Sequence, residues 1–143
     1  MSDLSLFDTT LEKTNLWIRE VMTELGWKDR HRAYLALRGV LHALRDRLQA
    51  DEAVHLGAQL PMLVRGFYYE GWKPSSTPKK ERHREQFLEH VREAFPRDEE
   101  IDSERVARAV FAVLARRVTE GEIGDVKGMM PEEVRGLWPE VSR

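Results

Sequence analysis

Apolar and polar positions along this chain recur with the period of an α-helix from one end to the other. Leu11, Ile18, Val21, Met22 and Leu25 form one stripe. Thr9-x-x-Glu12 ahead of it and Gly26 behind it predict a helix opened by a capping box and closed by a glycine. Tyr34, Leu37, Leu41, Leu44 and Leu48 step by three and four residues and predict a second helix. Ala107, Val110, Phe111, Leu114 and Val118 predict its counterpart, capped by Asp102 or Ser103. Short helices are expected at about 51–60 and 61–69, divided at Pro61, and again at about 120–129 and 131–138. No stretch alternates as a half-buried strand does, so the expected fold class is all-α.

The pattern is written twice. Displaced by 70 positions without a gap, residues 36–68 meet 106–138 with nine identities, among them Arg38/Arg108, Glu52/Glu122, Pro61/Pro131 and Arg65/Arg135. The same offset places Trp17 on Phe87, Val21 on Val91 and Leu25 on Phe95. An internal duplication is the natural reading. It predicts a single domain of two sequence-similar halves, about four helices each, packed as one compact bundle with a pseudo-twofold relation. Repeat one spans 7–72 and repeat two 81–140, joined by the exposed linker KPSSTPKK at 73–80.

Composition narrows the partners more than the activity. At 143 residues the chain can bury a core of its own, and with no cysteine it has neither disulfides nor thiolate metal sites. No apolar run is long enough to cross a bilayer and no export signal is visible, so a cytoplasmic protein is expected, with no membrane partner. Basic and acidic residues number 23 and 25, and the part up to Trp72 holds 9 and 10 of them. Neither half carries a basic excess, and nucleic acid is not an expected partner. The segment DEAVHLGAQLPMLVRGFYY could imitate a helix-turn-helix, but its second helix offers bases only Arg65 among apolar groups.

Candidate chemistry is sparse. Glu52 and Glu122 each precede an arginine by 13 residues, and the duplicated pairs Glu52–Arg65 and Glu122–Arg135 are expected to be structural ion pairs that fix the short helices. Thr119-x-x-Glu122 also reads as a capping box. Glu52-Ala-Val-His55 has the Glu-x-x-His spacing of metal-binding helical bundles, but the second copy puts Asp125 where the histidine should be. No metal and no other cofactor is therefore expected, Glu52 and His55 being faint candidates. No nucleophile or acid–base motif is present, and the reading leans away from an enzyme. Tyr68, Tyr69 and Trp72 are the binding candidates, because YEGW at 69–72 follows the first copy of the Pro-x-x-Val-Arg-Gly element and not the second.

The stretches RLQADEAVHLGAQLPMLVRGFYYEGW and, more faintly, RVTEGEIGDVKGMMPEEVRGLW carry a resemblance. Through Glu52, Ala53, Leu56, Gln59, Leu60 and Pro61, and through Glu122, Val126 and Pro131, the chain resembles the bacterial family catalogued as domain of unknown function 2267. Ile123 and Met129 depart from its alanine and glutamine. The resemblance spans about residues 8 to 138 and implies a small cytoplasmic all-helical bacterial protein without an accepted activity. The expected function is a non-enzymatic interaction or scaffold module, binding an unknown protein or a second copy of itself. The alternative is a helical protein with a small-molecule or metal pocket between its halves.

Overall fold

The computed structural model describes residues 5–140, and among them it holds eight α-helices and no strand. They are α1 (Ser5–Leu25), α2 (Arg30–Arg45), α3 (Ala50–Ala58), α4 (Met62–Tyr69), α5 (Arg84–Arg92), α6 (Ser103–Arg117), α7 (Glu120–Gly128) and α8 (Glu132–Arg135). The bounds of α3 and α7 differ by the sequence offset of 70 at both ends.

Local signals explain most of the boundaries. Asp29 and Asp102 cap α2 and α6, accepting from the backbone N–H of Arg32 and of Arg105. Gly26, at φ +69°, ends α1 in the left-handed conformation. The N–H of Trp27 then reaches the carbonyl of Met22, and that of Gly26 the carbonyl of Thr23. Two expectations need correction. Thr9 and Glu12 lie well inside α1, which has already begun at Ser5, so they form no capping box. Leu11 is exposed, because Thr10, Thr14, Trp17, Val21 and Leu25 turn to the core instead. A buried threonine is tolerable there: Thr14 donates its hydroxyl to the Thr10 carbonyl at 2.7 Å. The last helix is also shorter than its pattern, four residues in place of eight, though Leu137 and Trp138 beyond it remain buried.

Like helices meet across the molecule. α2 packs on α6 and α3 on α7, while α1 leans on α6 and α5 leans on α2. Each half therefore completes its core with helices of the other. Ala36, Leu37, Val40 and Leu44 of α2 and Ala107, Val110, Phe111 and Leu114 of α6 are withdrawn from solvent. Ion pairs hold α1 to α6 at the rim: Arg117 pairs with Glu20, and Arg116 reaches Glu24 at 3.1 Å. The Arg117 hydrogen bond holds the Glu20 carboxyl below the usual carboxylate range.

Segment 73–80 is mostly exposed, with a single 3-10 turn at Pro74–Ser76, and is tied back where Lys79 donates its N–H to the Asp46 carbonyl at 2.7 Å. At the far end Trp138 stacks on Phe111, ring centroids 4.1 Å apart and planes 4° from parallel. Trp138→Ala should therefore cost about 3–5 kcal/mol in urea unfolding. A loss under about 1 kcal/mol, the level of an ordinary surface change, would mean that this ring does not close the core.

Candidate functional site

The residues singled out by sequence converge on the short helices, but not in the pairs expected. Arg65 does not meet Glu52. Its guanidinium turns to the C-terminal end of α3, where Nε donates to the Gly57 carbonyl at 2.9 Å and a terminal nitrogen to the Leu60 carbonyl at 2.8 Å. The Gly57 carbonyl, in the last turn of α3, also accepts from the Leu60 N–H at 3.1 Å and stands at the negative end of the helix dipole, where a cation is favoured at short range. Arg135 likewise has no carboxylate partner among the described residues. The joint is thus held by an arginine on backbone, not by a glutamate–arginine pair.

Freed of the arginines, the two glutamates face each other. Both are more than nine-tenths buried, at 7% and 8% exposure, in the seam where α3 packs on α7. The Oε2 atoms of both are buried without a hydrogen-bond donor. His55, one turn after Glu52, brings Nδ1 to 3.7 Å from its Oε2. One ligand atom from each of Glu52, His55 and Glu122 lies within 4.8 Å of the other two. Burial, with Glu52 and then Asp125 close by, pushes the Glu122 carboxyl up to about 8. Two carboxyls this close do not both ionise near neutral pH, and the seam holds a proton that an isolated glutamate would release.

The capping role expected of Glu122 is only half realised. Thr119 Oγ1 accepts from the Glu122 N–H at 3.3 Å, but the glutamate does not reach back. Gln59, from the end of α3, takes that place. It accepts from the Thr119 N–H at 2.8 Å and donates to the Thr119 hydroxyl at 2.9 Å. Gln59 thereby clasps the start of α7 and leaves the Glu122 carboxyl inside the seam. The side chain most responsible for the geometry was legible only as part of a family pattern.

The aromatic candidates divide. Tyr68 is core, not surface: it is fully buried and donates its hydroxyl to the Ala53 carbonyl at 2.7 Å. Burial drives its phenol well above the usual tyrosine range. Tyr69 and Trp72 are half-buried and lean on each other at 5.4 Å. The Tyr69 hydroxyl sits against Gly57, where an added Cβ would come within 2.4 Å of it. Trp72 Nε1 is buried without an acceptor. Both rings turn their polar ends inward, Tyr69 over the α3–α4 joint, while Glu70 and Gly71 between them stay exposed. Sequence reasoning also missed Arg45 and Arg47, both buried. Arg45 donates to the Tyr68 and Glu70 carbonyls at the end of α4, and Arg47 pairs with Glu81 at 2.7 Å over the Phe87 ring.

A family model described as an uncharacterized conserved protein (DUF2267) matches residues 14–137. No curated protein matches the chain. Among the described residues no helix is long and apolar enough to cross a membrane.

The shared proton sets the pH dependence. A carboxyl raised in the folded state contributes stability below its unfolded value of 4.5, and that contribution drains away as pH climbs to about 8. Groups facing Glu122 are Glu52 and His55 from α3, Tyr68 from α4 and Asp125 from its own helix. In a chelating buffer, Glu122→Gln should gain on wild type steadily across that window, because its amide keeps a donor for Glu52 at every pH. A wild-type minus variant difference that stays flat from pH 5 to pH 8, by urea titration, would contradict the shared proton.

Proposed function

Because the chain belongs to the DUF2267 family, whose description assigns no activity, we propose its function from its own surface: it is an interaction module that pairs with a second copy of itself through α1 and α4. The observation that carries this reading is the placement of exposed apolar side chains. Of the seven large ones exposed among the described residues, five lie on these two touching helices: Leu6, Phe7, Leu11, Met62 and Leu63. Each is between 42% and 57% exposed. Single exposed apolar residues need no explanation, whereas a contiguous group on adjacent helices marks a contact surface. A groove of about 330 Å³ runs between the helices, bordered by Leu6, Met62 and Arg65.

Charge selects the occupant. Asp8 and Glu12 on α1 and Lys13 beside them make no ion pair among the described residues, and Arg65 meets only carbonyls. Lys13 and Arg65 line the groove and Asp8 and Glu12 stand on the same first helix, so a copy turned by a twofold can set acids against bases, as an isologous interface requires. A strongly acidic or basic partner would be matched by only half of those charges. A cysteine-free chain suits the reducing cytoplasm, which is where we place this activity.

Sedimentation equilibrium tests the reading. Wild type should show a concentration-dependent dimer, and Leu11→Glu with Leu63→Glu should be monomeric with unchanged helical circular dichroism. Both substituted positions are exposed, so the fold has no reason to suffer. A wild-type mass that stays monomeric up to about 1 mM, where pairing would be weaker than about −4 kcal/mol, sinks the proposal.

A further inference from the structure

The α3–α7 seam carries an inference separate from pairing through α1 and α4. Glu52, His55 and Glu122 present two carboxylates and one imidazole from two different helices to one point. We propose that these three residues bind one divalent first-row transition-metal ion, which ties α3 to α7. Two kinds of observation point to it. The first is geometric. Ligands about 2.0–2.2 Å from such an ion stand roughly 3.0–3.6 Å from their neighbours around it. Glu52 Oε2 and His55 Nδ1 are 3.7 Å apart, and no pair in the trio is wider than 4.8 Å. Binding would need side-chain adjustments of an ångström or so, and the His55 side chain, 65% exposed, has room to make its own.

The second is the state of the carboxylates. Glu52 and Glu122 are more than nine-tenths buried, yet no N–H or hydroxyl of any other residue reaches either Oε2. A buried carboxylate oxygen without a donor is costly, and a divalent cation compensates two of them at once. Neither arginine of the joint supplies that compensation, since Arg65 is committed to carbonyls.

The donor set decides the class of ion. An imidazole beside carboxylates, with no thiolate, favours Zn²⁺, Mn²⁺ or Fe²⁺ over both soft ions and calcium. The two glutamates form the inner wall and His55 the solvent side, so the ion enters past the histidine. Three protein ligands leave at least one position for water.

Isothermal titration of the chelator-stripped full chain tests this, with Zn²⁺ and Mn²⁺ used separately. One ion should bind per chain for at least one of the two metals, raising the thermal midpoint of the wild type. Glu122→Gln removes an inner ligand and His55→Ala an exposed one. Each should weaken binding beyond the roughly 10–100-fold that even changes behind a ligand shell cost. His55→Ala touches only an exposed side chain, so its loss of binding cannot be laid to misfolding. Absence of one-to-one binding for both ions overturns the site. So does binding that survives in Glu122→Gln, which would put the ion on surface histidines such as His83 or His90. Neither outcome bears on pairing, which the sedimentation experiment reads on its own.

Discussion

Burial of α2 against α6 is the constraint on which the rest of the structure depends. Each of these helices is apolar over too much of its circumference to be covered by its own half. Leu37, Val40, Leu41 and Leu44 on one, and Val110, Phe111, Val113 and Leu114 on the other, are withdrawn from water where α1 and α5 each pack on both of them. Burying one side chain of this size is worth about 1.5–3 kcal/mol, so a half on its own would forfeit much of its stability. That packing also explains why the rim ion pairs of α1 run to Arg116 and Arg117 and not to its own half.

Once like helices meet, like residues can meet. Glu52 and Glu122, 70 positions apart, meet where α3 packs on α7, two helices whose bounds differ by the same offset. Gln59 and Thr119 then lock the helix ends at a place where the two halves differ in sequence. The seam pairs like residues where the charge is buried and unlike ones where the helices are fastened.

Much of this was legible in the chain, and the failures have identifiable causes. Helix positions followed from the 3.6-residue period at Leu37, Leu41 and Leu44 and from caps such as Asp29 and Asp102, which act within a few residues. Thr9 and Glu12 have the spacing of a cap, yet α1 already runs from Ser5, five residues ahead of its first buried side chain at Thr10, and nothing in the pattern of apolar positions marks that start. Spacing along the chain shows which carboxylates stand near Arg65 but not which helix-end carbonyls its guanidinium reaches. Tyr68 and Tyr69 are adjacent and chemically alike, and only the register of α4 sends one into the core. Offset identities named Glu52 and Glu122 as a pair, but nothing linear could show that they touch.

The central claim is that these two carboxyls share the seam without a cation of the protein between them. Carbon-13 NMR titration of the glutamate side-chain carboxyls, on metal-free protein, reads it at the atoms concerned. The account predicts a glutamate carboxyl resonance, lost in Glu122→Gln, that titrates well above the usual carboxylate range. If every glutamate carboxyl instead titrates between about pH 3 and 5, the pair is solvated or salt-bridged and the account is wrong.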